Sequence, residues 1–257
     1  MHKIEKLIDL SVWTGRWPFL NLRYNDLAAL KEKLLGLNIK KAFAAPIDGI
    51  LEKDPSRANG ELYEKTALYE DFFSPVPIID LSFKNWRGNM ERAVGSSCVK
   101  IIKLLPNYHM YKLTKELAGE LVKYTSPAGI AVSIQMRMED KRGMHPLFKV
   151  PEIRAFDLLD AISAFPEQVF ILSNIYYGEI QEAYNSTGNI YFETCGTEYQ
   201  DVIELLHGRF SLDRFVFSSH APFYYAEANV NKIKYSSLDT DILKKVMYEN
   251  AERILGL

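Results

Sequence analysis

Glu193 and Cys195, in "YFETCG", stand two residues apart at the end of an apolar run. Alternation along a strand points both side chains to one face. With His220 of "FSSHAPF" one strand along, they would form a Glu/Cys/His cluster. Such a cluster reads as a metal site, as a Cys–His nucleophile pair, or as a buried thiol beside a paired carboxylate. His220 alone suits proton transfer, because a free imidazole titrates near pH ~6.5; its bland counterpart is a histidine bonded to its neighbours. A second group lies in "SIQMRMEDKRGMHP", where Arg137, Glu139, Asp140 and Arg142 precede His145. Arg137 and Arg142 would clamp a substrate carboxylate through paired hydrogen bonds. The alternative is a solvated loop whose opposite charges pair with each other. His109, beside Tyr108 in "KLLPNYHMY", either meets a substrate or holds its loop. Arg16 and Trp17, with Tyr176, Tyr177, Tyr224 and Tyr225, would suit a small organic anion or a ring. They equally suit core packed under long loops. His2 and His207 are given no role.

These residues need a frame. The chain alternates short apolar runs with amphipathic segments from end to end. Strands are expected at 6–12, 40–47, 74–81, 98–105, 129–136, 168–174, 189–195 and 214–220. Between them, Leu113, Leu117 and Leu121 share one helical face, as do Ile153, Phe156, Leu159 and Ile162. The last helix carries Ile242, Val246 and Ile254 behind a cap at Asp239. Eight strands with helices between them predict an α/β fold, a (β/α)8 TIM-type barrel. An open doubly wound sheet is the alternative, but no glycine-rich phosphate loop follows the first strand. No repeat or linker divides the chain, so residues 1–257 are read as one domain. The stretch 46–60, "PIDGILEKDPSRANG", is expected to be a long loop.

Composition narrows the function. Of 257 residues, 47% are hydrophobic and 25% charged, with a formal net charge of −2, which suits a folded globular chain. No basic excess points to nucleic acid, and no apolar run approaches the ~20 residues of a membrane span. Two cysteines make no disulfide framework and no secretory signal opens the chain, so a cytoplasmic location is expected. A homodimer is compatible with such a barrel but has no residue to mark it.

Active sites of these barrels lie where strand ends meet the following loops. The polar strand ends are Ser11, Trp13, Asp48, Asp80, His109, Gln135, Asn174, Glu193, Cys195 and His220. Around them, "IDLSVWTGRWPF" (8–19), "KLLPNYHMY", "FSSHAPF" and the closing "NAERILGL" resemble the amidohydrolase superfamily. The likeness is nearest to the amidohydrolase-related branch of decarboxylases and lactone hydrolases, and runs in order from about residue 7 to the C-terminus.

That resemblance implies a divalent metal held by His-x-His from strand one, a His from each of strands five and six, and an Asp from strand eight. The matching positions here are Ser11 and Trp13, Gln135, Asn174 and His220. A catalytic zinc typically takes three protein ligands of histidine, carboxylate or thiolate type. Only His220 among the five is a good one, so no cofactor is expected, zinc being the metal the family pattern would take. Three readings follow. The first is a hydrolase or lyase acting on a small carboxylated or cyclic substrate without the usual metal. In it His220, Gln135 and Asn174 are catalytic, and Ser11, Trp13, Arg16, His109, Arg137, Arg142, His145 and Glu193 bind substrate. The second is a catalytically silent barrel that binds a ligand or a partner subunit. The third is a rewired metal enzyme using His109, His145, Glu193 and His220.

Overall fold

The computed structural model describes Met1–Leu257. Eight parallel strands form in order: β1 (Leu7–Thr14), β2 (Ile39–Pro46), β3 (Phe73–Pro75), β4 (Ile101–Leu104), β5 (Ala131–Gln135), β6 (Phe170–Ser173), β7 (Ile190–Glu193) and β8 (Phe215–Val216). All eight residues of β1 and all of β4 to β7 are buried, as expected for parallel strands covered on both faces. The ladders run β1-β2-β3 and β4 through β8. Two seams join them. Ile79 N donates to Lys103 O and Lys103 N to Pro77 O, both at 2.9 Å. On the other side Leu10 N reaches Phe217 O at 3.1 Å, and His220 N reaches Ser11 O at 2.9 Å. The sheet thus closes into the expected TIM-type barrel.

Helices occupy the crossovers: α1 (Leu27–Leu35), α2 (Ser56–Ala67), α3 (Trp86–Val94), α4 (Lys115–Thr125), α5 (Ala155–Ile162), α6 (Tyr177–Tyr184), α7 (Val202–His207) and α8 (Ala226–Lys234). The chain closes with α9 (Thr240–Lys244), a π-helical turn (Lys245–Glu249) and α10 (Asn250–Leu255). One apolar layer, including Val12, Ile102, Leu104, Val132 and Leu172, lies between strands and helices. A second, with Ile8, Leu10, Trp13, Phe43, Ile101 and Ile171, fills the lumen.

Three local expectations are corrected. Residues 46–60 are no long loop: a short 3₁₀ turn spans Asp48–Ile50, and α2 begins at Ser56. The turn-like "DPSRANG" is a helix start, with Pro55 just before the first turn. Asn59 pins that helix to the barrel, its amide bonding Ile78 N at 2.9 Å and Ile78 O at 2.8 Å. The third strand is cut to three residues because Pro75 and Pro77 remove ladder donors. On α5 the buried face is Ala155, Leu158, Ala161 and Ile162, while Phe156 is 63% exposed. Small alanines, rather than the largest apolar side chain, meet the sheet there.

Candidate functional site

At the centre of the barrel the strand ends converge on one cation. Lys103, on β4 between Ile102 and Leu104, is buried, and its ammonium donates to Ser11 Oγ and to Gln135 Oε1, both at 3.0 Å. The same nitrogen lies 4.8 Å from the Trp13 ring centroid. Burial depresses the Lys103 ammonium from its ordinary range, opposed by Glu193, Cys195 and Asp9. Glu193 accepts from Ser173 Oγ at 2.6 Å and from Cys195 Sγ at 3.6 Å, and Ser173 meets Ser133 at 2.6 Å. The register of β1 slips between Asp9 and Val12, over the segment that carries Asp9 and Ser11. Asp9 accepts from Ser219 N at 2.9 Å and Ser11 N at 3.2 Å, and its second oxygen is buried without a partner. Desolvation lifts its carboxyl to about 7.

A roof closes over this layer. Trp13 Nε1 donates to His220 Nδ1 at 3.1 Å, so the histidine proton sits on Nε2, which donates to Met138 O at 2.8 Å. Neither ring nitrogen is free to take a proton, and burial drives the imidazole down to about 3. Phe223 packs edge-on against Trp13, and Tyr224 lies against His220. Asn174 donates to Arg137 O at 2.8 Å and to the Tyr224 hydroxyl at 3.0 Å. His220 and Asn174 both have positive φ, 55° and 53°, a conformation that costs L residues energy and persists only when surroundings enforce it. Gly196 belongs to the same restraint, since a Cβ there would come within 2.4 Å of Ile175 O.

The sequence-predicted residues therefore divide. Ser11, Trp13, Gln135, Asn174, Glu193 and His220 do gather at the barrel centre, but all six are buried and bonded to one another or to their neighbours. The Glu/Cys/His cluster is incomplete: Glu193 meets Cys195, while His220 is taken up by Trp13 and Met138. The thiol is pushed up by burial, away from nucleophile behaviour. The rewired ligand set does not converge, and no group of three His, Cys, Asp or Glu side chains is placed to hold a metal. His109 instead faces Asp80 at 3.7 Å on the β3–β4 side, with burial lowering its imidazole. The two-arginine clamp is also corrected. Arg142 lies in solvent on Asp140 at 2.8 Å, whereas Arg137 is fixed by Asn174 O at 2.7 Å and Glu179 at 2.9 Å. Arg16 is exposed and lines a separate hollow formed by residues 16–22 and Asn25.

The open space lies beside the roof. A cavity of about 430 Å³ is walled by the loops after β4, β5 and β6, with Asn107, Tyr108, Arg137, Glu139, His145, Lys149 and Tyr176 around it. The Arg137 guanidinium stacks 3.8 Å from the Tyr176 ring centroid. Within the cavity Lys141 pairs with Glu152 at 3.3 Å, while Lys149 and His145 have no ion partner. Glu139 and Lys149 are among the lining groups the sequence reading did not assign to a site. Their only signal was membership of a charge-dense loop.

No family model matches the sequence, and no curated protein matches it. Solved structures do. The chain is similar to 5-carboxyvanillate decarboxylase from Sphingomonas paucimobilis, with a TM-score of 0.77 and 11% identity over 99% of this chain and 100% of that one. It is similar to a dihydroxybenzoic acid decarboxylase from a Polaromonas species, at 0.69 and 13% over 99% and 98%. An amidohydrolase from Mycobacterium avium gives 0.67 and 14% over 91% of this chain and 74% of that one. The resemblance seen in the sequence holds at the level of the fold: this barrel is built as amidohydrolases and their decarboxylase relatives are built.

One expectation is overturned by these structures. The Polaromonas enzyme holds manganese, as does a 5-carboxyvanillate decarboxylase from Novosphingobium aromaticivorans, which overturns the expectation that no metal cofactor goes with this frame. The five matching positions of this chain do not fit a metal in the present geometry. Ser11 and Gln135 oxygens accept from an ammonium, Trp13 offers no lone pair, Asn174 is bonded to Tyr224, and both nitrogens of His220 are engaged.

Proposed function

We propose that this chain binds a small carboxylated ring compound in the cavity between the loops after β4, β5 and β6. The observation that carries the reading is the pairing pattern of that cavity. Lys149 and His145 face a space of about 430 Å³ with no ion partner of their own, beside the Arg137–Tyr176 stack. Small-molecule sites are concave and fix their ligand through a few convergent polar groups. The decarboxylases of this fold are solved with aromatic compounds of the same size class, 2-nitroresorcinol and 3-methoxy-4-hydroxy-5-nitrobenzoic acid. Calorimetric titration with benzoate is the direct test. Saturable binding that weakens about tenfold in Lys149→Ala, or about 1.4 kcal/mol, is expected for loss of one cationic partner. Absence of saturable binding, or binding indifferent to that substitution, overturns the reading.

A second reading keeps the site catalytic, as a hydrolase or lyase of a carboxylated or cyclic substrate. It is favoured by Glu139, a half-buried carboxyl on the cavity wall held above the usual carboxylate range by desolvation, as acid–base groups are. Lactone, amide and carboxylic-acid substrates assayed with and without added manganese separate the two. Turnover that Glu139→Gln removes supports catalysis, and its absence throughout leaves the binding function.

A further inference from the structure

Around the cavity the acidic groups are not equivalent. Asp140 has Arg142 and the Tyr176 hydroxyl, Glu152 has Lys141, and Glu179 has Arg137. Glu139 alone has no cation. Its Oε2 accepts from the Trp17 indole N–H at 3.1 Å, and its Oε1 carries no hydrogen bond. Trp17 is itself immobile, buried edge-on against Phe19, Phe148 and Phe223 at centroid distances of 5.4, 5.9 and 5.4 Å. One carboxyl oxygen is therefore fixed by an aromatic wall, and the Glu139 side chain lines the space a ligand would fill.

A carboxylate ligand entering that space brings a second negative charge beside Glu139. Two carboxylates in one site cannot both stay ionised at low cost, and the usual resolution is a proton held between them. We infer that this cavity takes its carboxylate ligand together with one proton, held on Glu139, whose O–H donates to the ligand. Glu139 then selects monoanionic carboxylates that accept a hydrogen bond, and disfavours dianions. The inference rests on the cavity reading above. The other charged or titratable groups lining the site are Arg137, Lys149, the Lys141–Glu152 pair and His145, and none of them pairs with Glu139. The half-buried setting of Glu139, which raises its carboxyl from the ordinary value, adds to the same tendency.

The test is calorimetric titration of the full chain with benzoate at pH 6 to 8, in paired buffers of different ionisation enthalpy. Wild type is expected to take up about one proton per benzoate toward the upper end, with affinity falling as much as about tenfold per pH unit. Glu139→Gln, which keeps an oxygen for Trp17, is expected to bind with little proton uptake and a flat pH profile. Benzoate binding without proton uptake overturns the inference while leaving the cavity reading intact. Uptake that persists in Glu139→Gln also overturns it and assigns the proton to His145, which His145→Gln then confirms. No benzoate binding to wild type at any pH overturns the cavity reading and this inference with it.

Discussion

The barrel centre and the loop cavity beside it lie only a few residues apart in sequence, yet they are finished in opposite ways. Gln135 ends β5 inside the closed layer, with its oxygen on Lys103, while Arg137 and Glu139 along the same loop border open space. At the centre every polar group is answered by another side chain or by backbone, apart from one oxygen of Asp9 and the Ser218 hydroxyl. In the cavity, Lys149 and the Glu139 carboxyl are left without ion partners. A satisfied polar network stiffens a core, whereas unanswered groups at a concave surface are what a ligand can use. On the reading proposed above, ligand binding follows the unpaired groups and not the strand-end positions as such.

That contrast is broken most directly at Trp13. Trp13→Ala would remove a fully buried ring that touches His220, Phe223 and the Lys103 ammonium, and a loss of about 3–5 kcal/mol is expected in urea unfolding. A loss below about 1 kcal/mol would mean that the roof is not a packed element.

Acidity sharpens the comparison next. The folded state holds Asp9 at about 7 against an ordinary value of 3.8, so the folded chain binds more protons than the unfolded one between those values. Stability therefore falls as pH rises through that window. His220 has the opposite sign: held at about 3 against 6.5, its neutral form favours the fold above pH 6.5, and that contribution is lost as pH falls toward 3. Asp9→Asn should remove the decline on the rising side, and His220→Asn the decline on the falling side, in melting temperatures taken from pH 4 to 8. Unchanged profiles in both variants would show that the centre is hydrated.

The smallest effect belongs to the loop surface. Arg142 lies in solvent on Asp140, and Arg142→Ala should leave both the melting temperature and the benzoate affinity unaltered. A tenfold drop in affinity would restore the two-arginine clamp.

Much of the frame was legible in the sequence, because strands such as "AVSIQ" and "FILS" are apolar runs bounded by turn residues and buried on both faces. The polar strand ends were legible too, since barrel geometry brings them to one mouth. Which of them would be roofed over was not: that depends on Trp13 meeting His220 across a separation of 207 residues. Lys103 went unread because a lysine inside "KIIKLL" looks like the outward half of an alternating strand. Its mid-strand place in a sheet covered on both faces was the available sign. Glu139 was visible only as one charge among several, since its isolation shows once Lys141, Arg142 and Arg137 have chosen their partners.

The placement of the three tryptophans gives each region its own optical reporter. Trp13 sits over the central ammonium, Trp17 hydrogen-bonds a carboxyl of the cavity wall, and Trp86, at the start of α3, is buried against Tyr124 of α4. Variants keeping one indole at a time would let emission from the lumen, the loops and the outer shell be followed separately during denaturation. Coincident transitions would mean that the barrel melts as one cooperative unit, and an early Trp17 signal would mark the β5 loop as a unit that opens on its own.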